Sequence, residues 1–195
     1  MSAIGSVDTA SSSFPLRTQL RDGTRVRVRP LRSGDGGELL KGFQRLSISS
    51  RRFRFLSPIR KLTDWQLKAL IEVDQVNHVA IGVQDISRPG RPGIGIGRFV
   101  RLEKEPWAAE FAITVIDDYQ RRGVGTLLLR LLIKAAQERG IETLQGFLLE
   151  DNTAMIGLLV KFGACLRRDA GNILCAELPV AAVAAVRQDS FRSPS

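Results

Sequence analysis

Apolar and polar positions follow two rhythms along this chain, and the switches between them mark out its elements. In "TRVRVRPL" the alternation is strict from Thr24 to Val28, which predicts a half-exposed strand. "ELLKGFQRL" takes the helical spacing, with Ser33 and Asp35 as its expected N-caps, and "SISSRRFRF" predicts a second, shorter helix. "TDWQLKALIEVD" opens with Thr63 and Gln66 at capping-box spacing and keeps Leu67, Leu70 and Ile71 on one face. "HVAIGVQDI" and "GIGIGRFVRLE" read as strands paired across "SRPGRPG", and "AAEFAITVID" as a further strand. The strongest helix pattern is "GTLLLRLLIKAAQERG", stopped by Gly140. "TLQGFLL" returns to strand, "NTAMIGLLVKFG" to helix with Asn152 as cap and Gly163 as stop, and "ACLRR" with "NILCAELPV" makes a closing hairpin.

This order places a βαβ crossover over Glu110 to Leu149, whose two strands must run parallel. The other strands follow one another as antiparallel neighbours. The expectation is an α/β domain: a mixed, mostly antiparallel twisted sheet of about six to seven strands with helices on both faces. At 195 residues with 44% apolar content, the chain suits one core. The start, Met1 to Ser13, has neither a charged n-region nor an apolar h-region, so it does not read as a secretory signal. The division predicted is a disordered lead-in over 1–22, one domain over 23–186 and a flexible tail over 187–195. No run of eighteen apolar residues occurs, so no membrane partner is expected.

The formal net charge of +9 is unevenly placed. Residues 17–61 hold eleven Arg and two Lys against Asp22, Asp35 and Glu38, a surplus of ten; the remainder holds 16 bases and 17 acids. Such a patch draws anionic partners: nucleic acid, an acidic protein face or a cofactor phosphate. "RRFRF" (Arg51 to Phe55) reads as arginine stems packed over apolar rings more than as base stacking, so nucleic acid is not the expected partner. Cys165 and Cys175 fall on the closing hairpin and would lie opposite each other if its loop centred on Ala170. They read as two small buried apolar residues in a reducing cytoplasm. Two cysteines and the distant His78 make no metal set, and none is expected.

The chemistry concentrates in "DDYQRRGVGTLL". Gly123 and Gly125 stand where a strand enters the strongest helix, and let main-chain amides face outward without a Cβ in the way. The first N–H groups of a helix lack internal partners and carry the positive end of its dipole, so a diphosphate fits there. Arg121 and Arg122 add charge and Thr126 a hydroxyl. The competing reading is a tight strand-to-helix turn with no ligand. No G-K-[ST] follows, which excludes a nucleoside-triphosphate P-loop, and Leu128 stands where a dinucleotide site needs its third glycine.

"ITVIDDYQRRGVGTLLLRLLIKAAQERGI" resembles the acetyl-coenzyme A signature of the GNAT N-acetyltransferases, Q/R-x-x-G-x-G/A, as Gln120-Arg121-Arg122-Gly123-Val124-Gly125. Asn152, Met155, Lys161 and Gly163 match that family's N-x-x-M…K-x-G segment. "VRVRPLRSGD", "RLSISSRRFRFLSP", "KLTDWQLKALIEVD", "HVAIGV" and "AAEFAITV" look like the catalytic domain of bacterial Pat-type protein lysine acetyltransferases. The resemblance implies the GNAT fold over roughly Thr24 to Val180. It implies that acetyl-CoA, as cosubstrate, lays its pyrophosphate on the amides from Arg121 to Thr126. It further implies pantetheine pairing with Ile113, Thr114 and Val115 in a slot opened where two parallel strands splay at a bulge, with Asn152 near the pantetheine or thiol.

An amine must be neutral to accept an acyl group, and for lysine at pH 7 that costs about 4.6 kcal/mol. Glu110 is the candidate base, because a carboxylate inside a central strand is unusual unless paired or set in a cleft. Glu110 shares its face with Ala112 and Thr114. The competing reading pairs it with an arginine such as Arg98. In Pat-like domains the glutamate of "AEFA" is the base, so the resemblance favours Glu110 over Glu150 and Asp151. Many GNAT enzymes protonate the thiolate with a tyrosine seven residues after the capping Asn; here that place is Leu159. Tyr119 reads as structural, and His78 as a residue of a strand entrance that could alternatively line the acceptor slot.

The expectation is therefore an acetyl-CoA-dependent N-acetyltransferase that modifies the ε-amino group of protein lysines with Glu110 as general base. Its partners would be acetyl-CoA and a protein carrying the target lysine, such as an acyl-CoA synthetase-like protein, with the enzyme a cytoplasmic monomer or homodimer. The alternatives are transfer to a small amine or a protein N-terminus, and a non-catalytic acetyl-CoA sensor.

Overall fold

The computed structural model describes residues 15–181; the tail expected over 187–195 and the lead-in before residue 15 lie outside them. The rest of the lead-in is not disordered. Leu16–Gln19 is a strand, β1, antiparallel to β2 (Arg25–Pro30) through the pairs Leu16↔Val28 to Gln19↔Arg25. Four residues show too little alternation to stand out in the sequence; the pairing partner makes them a strand.

Three helices follow: α1 (Gly36–Gln44), α2 (Ile48–Phe55) and α3 (Asp64–Ile71). Thr63 and Gln66 form the expected capping box. Ser33 and Asp35 do not cap α1. They lie in a 3-10 turn, and the Asp35 carboxylate instead accepts both guanidinium N–H groups of Arg29 at 2.7 Å and the Arg32 N–H. A bidentate guanidinium outcompetes a helix-end amide for one carboxylate.

The strands β3 (His78–Asp85), β4 (Gly93–Arg101) and β5 (Ala108–Val115) form an antiparallel block. Helix α4 (Val124–Gln137) returns the chain to β6 (Thr143–Leu149), parallel to β5. Helix α5 (Thr153–Lys161) leads to the hairpin of β7 (Cys165–Arg168) and β8 (Ile173–Pro179). The sheet has eight strands, one more than the upper expectation, in the order β1-β2-β3-β4-β5-β6-β8-β7.

Helices cover both faces, as predicted. Gly95 and Gly97 let α4 lie close on β4. A Cβ at Gly95 would stand 2.9 Å from Val124, and one at Gly97 3.1 Å from Leu132. Helix α4 buries Leu128, Leu129 and Leu132 completely, each stabilising by roughly 2 kcal/mol. The opposite face of β3–β5 is roofed by α1 to α3, where Phe43 and Phe55 meet edge to face at 6.0 Å and Arg51 lies over Phe43. The packing role expected for "RRFRF" holds there.

The register of the last hairpin differs from expectation. Arg167 faces Cys175 and Cys165 faces Glu177, so the loop centres one residue later and the cysteines are offset. Both thiols are free; Cys165 is exposed and Cys175 half-buried, not the buried pair expected. Its position places Cys175 partly out of water, which pushes its thiol pKa up, and Glu177 adds to that.

Candidate active site

The parallel pairing of β5 and β6 lasts for three residues, from Ala108↔Thr143 to Glu110↔Gln145. Beyond Glu110 the two strands part, while β4 stays in unbroken register with β5 as far as Gly95↔Val115. The splay therefore forms without a bulge between β4 and β5, contrary to the expectation. A different device stands at the fork: a Cβ on Gly146 would lie 2.7 Å from the Phe111 ring, so the ring occupies the space of the missing side chain. Main-chain groups of alternate residues between Phe111 and Val115 consequently have no strand on the β6 side to pair with.

This slot opens into a cavity of about 670 Å³ whose walls include Phe111 to Val115, Gln120, Arg121, Gly123, Gly125, Thr126 and Asn152. At its mouth, Arg121 and Gly123 both hold positive φ, +63° and +94°. Helix α4 makes its first main-chain bond from Leu127 N–H to Gly123 O. Among the described residues, the six consecutive N–H groups from Arg121 to Thr126 find no acceptor. Such a concave run of amides at a helix start is an anion site.

The turn is held from three sides. Tyr119, 1% exposed, donates its phenol proton to Asp85 at 2.6 Å, which fixes it as the structural residue expected. Burial raises the pKa of Asp85, but hydrogen bonds from Ser87 and Tyr119 outweigh it and hold the carboxyl below its usual value. Gln120 donates to Val115 O and to Ser50 Oγ, both at 3.1 Å, and Asp117 accepts from the Ser47 N–H and the Ser50 hydroxyl. These bonds tie the start of α2 over the slot.

Two residues predicted for the cofactor do not line the cavity. Arg122 turns away, over the Tyr119 ring at 5.0 Å and toward Asp22 at 3.4 Å. Val124 is 1% exposed and belongs to the core. Glu110 is also outside the lining and stands exposed at the closed end of the fork. Among the described residues no hydrogen bond or ion pair engages its carboxylate, so the alternative pairing with Arg98 is not formed. The runners-up are occupied: Glu150 by Arg168 at 3.3 Å and Asp151 by Arg52 at 2.7 Å. Asn152 caps α5 by accepting from Met155 N–H, and Leu159 is buried against the slot. His78 has its Nε2 against the Arg98 guanidinium; burial and that charge lower its pKa, so it is neutral at pH 7. Sequence reasoning missed Arg21, Ser50, Phe53, Arg54 and Lys161, which also line the cavity. Ser50, Phe53 and Arg54 lie in the stretch read for its Pat-type likeness and Lys161 in the K-x-G segment, but neither signal, nor the basic surplus that covers Arg21, says which residues turn inward.

A family model described as the Acetyltransferase (GNAT) family matches residues 57–164, more than half of the chain. The chain belongs to the GNAT acetyltransferase family. Acetyltransferase Pat of Mycolicibacterium smegmatis is 36% identical over 161 residues, 82% of this chain and 47% of that protein. The chain thus spans about half the length of this relative. An acetyltransferase of Pseudomonas aeruginosa is 32% identical over 151 residues, 77% of this chain and 80% of that one. The crystal structure of the GNAT domain of S. lividans PAT superimposes with a TM-score of 0.77 at 27% identity, over 84% of this chain and 96% of that chain. The likeness to Pat-type domains read from the sequence is borne out.

GNAT enzymes take acetyl-CoA as cosubstrate, and the residues present fit it. The unpaired amides suit a diphosphate, the splayed strand suits an amide-bearing arm, and the cavity volume suits a ligand of that class. Among the described residues no group of three or more His, Cys, Asp or Glu is placed to hold a metal ion.

Proposed function

We propose that this GNAT enzyme transfers acetyl from acetyl-CoA directly to the ε-amino group of a protein lysine, with Glu110 as general base. One observation carries the reading: a carboxylate that among the described residues makes no hydrogen bond or ion pair stands at the last paired residue before the fork, where the slot ends. Acetyl-CoA supplies the activated acyl group when bound to the amides from Arg121 to Thr126 and along Ile113 to Val115. Glu110 takes the proton of the acceptor ammonium, through water or directly. The freed nitrogen forms its C–N bond as the C–S bond breaks and releases its second proton to solvent, and solvent protonates the departing thiolate, because Leu159 offers no proton.

Leu159 also favours a second reading, a non-catalytic acetyl-CoA sensor, since the usual donor position is buried hydrocarbon. Glu110→Gln separates the two. The transfer reading expects kcat to fall about 10²–10⁴-fold with acetyl-CoA affinity nearly unchanged. Labelled acetyl-CoA with a lysate of the source cell, followed by mass spectrometry, should show modified lysines. Wild type that binds acetyl-CoA but never releases CoA thiol with any acceptor would leave the sensor reading standing.

A further inference from the structure

A second, smaller cavity of about 110 Å³ lies beneath α1 to α3 on the face of β3–β5 away from α4. It is too small for a nucleotide or a peptide backbone and large enough for one short side chain. Its walls are apolar for the most part, including Leu39, Phe43, Phe55 and Ile96, and it shares Arg54, Ala112 and Thr114 with the cofactor cavity. The two spaces therefore meet at β5.

Three guanidinium groups stand in its wall: Arg29 from β2, which is paired with Asp35, Arg54 from α2 and Arg98 from β4. Arg98 faces Ala112 across the sheet, next to the Val100↔Glu110 pair. Arg54 lies over the Phe55 ring and, among the described residues, gives no hydrogen bond or ion pair. Arg98 donates from Nη2 to Ala69 O and to His78 Nε2, and among the described residues its Nη1 and Nε are unused. The acids of the wall are already paired: Asp35 with Arg29, itself a wall residue, and Glu38 with Lys41. Burial, and then the Arg54 charge, push the Arg98 guanidinium down to about 10, with Glu110 pulling the other way; burial also lowers Arg54, again against the pull of Glu110. Arg54 and Arg98 feel the charge of Glu110, but among the described residues no carboxylate stands within ion-pair distance of either, so an added anion would stabilise the two cations in this mostly apolar wall.

We infer that this cavity is an acceptor subsite for a carboxylate, in which Arg54 and Arg98 hold an acidic side chain carried close to the amine that Glu110 deprotonates. The inference rests on the transfer reading for the identity of the acceptor. A guanidinium pair is suited to carboxylate geometry, and the apolar walls admit the methylenes of an Asp or Glu side chain. The subsite thus selects lysines with an acidic neighbour, or, from the same chemistry, a small amine bearing its own carboxylate.

Calorimetry on the full chain with short peptides tests it without turnover. Norleucine replaces the acceptor lysine, and Glu or Gln is placed in turn at each flanking position. At one position the Glu peptide should bind about tenfold more tightly than its Gln twin, the scale of one charged hydrogen bond. Arg98→Met should erase the difference while acetyl-CoA, which Arg98 does not line, still binds within twofold. Arg98→Lys, a milder change for folding, should keep part of it. Equal binding of every Glu and Gln pair by the wild type, or a preference that survives both Arg54→Met and Arg98→Met, overturns the subsite. Free glutamate binding more tightly than any peptide supports the subsite and assigns its carboxylate to a small amino acid. Selective peptide binding by an enzyme that never releases CoA thiol overturns the transfer reading and leaves the subsite intact.

Discussion

At the glycine turn, the groups proposed to meet a ligand are main-chain amides, six in a row, aimed by two positive φ angles and the start of one helix. At the cavity under α1 to α3, they are side chains from α2, β4 and β5 that the fold carries together. The first region is local: residues within one short stretch of chain make it, and their spacing is its specification. The second exists only after the sheet has formed. A main-chain site tolerates side-chain change wherever backbone geometry is kept, whereas a side-chain site fails when one partner is removed. The two regions touch at β5, so each can be disturbed while the other serves as the control.

The largest effect should come at the fork, where both regions are anchored. Gly146→Ala forces its Cβ into the Phe111 ring at 2.7 Å, in a packed interior where the ring has little room to retreat. Overpacking of this kind should destabilise the fold by about 3 kcal/mol. Thermal unfolding measures it, and both acetyl-CoA and peptide binding should weaken. A variant as stable as the wild type would show that the ring is not wedged there.

Next comes the support of the turn. Tyr119→Phe leaves the buried Asp85 carboxylate without one of its donors and should cost about 2 kcal/mol. The pH dependence has a defined sign. The folded pKa of Asp85 is depressed, so its contribution is present above the unfolded pKa and is lost as pH falls through the folded one. Removing the phenol raises the folded pKa toward the unfolded value. Wild type should therefore lose more stability than Tyr119→Phe on acidification, and equal losses in denaturant titrations at neutral and acid pH would break the assignment.

The smallest expected effect isolates the turn. Gly123 holds φ +94°, where an L side chain costs roughly 1–2 kcal/mol. Gly123→Ala should weaken acetyl-CoA binding by about tenfold and leave carboxylate-peptide binding unchanged, which calorimetry reads directly. Equal weakening of both ligands would mean that the two regions are one cooperative unit.

Much of the cofactor region was legible because its determinants are periodic or stereochemical. The crossover unit, the caps Thr63 and Asn152 and the stops at Gly140 and Gly163 all stand where the pattern put them. The charge expected from the Arg122 side chain does not reach the cavity, because a motif fixes a backbone path and not a side-chain direction: Arg122 turned to Asp22 and Tyr119, and the Val124 side chain into the core, while the main-chain amides of both remain in the turn. Asp35 was misread as a cap because Arg29 was not known to be within reach. Strand β1 and the cysteine register escaped for a related reason, since short strands take their identity from pairing partners.

Sequence alone determined the alternation of strands and helices, the parallel crossover and the amide cradle, because each depends on side-chain period or on residues that permit a given φ. Only tertiary structure decided that Glu110 stands at the fork without an ion pair among the described residues, that Glu150 and Asp151 are taken by arginines, and that Arg54 and Arg98 face one cavity. Those outcomes depend on distances between elements remote along the chain, and such distances are set by how helices seat on the sheet and where paired strands part.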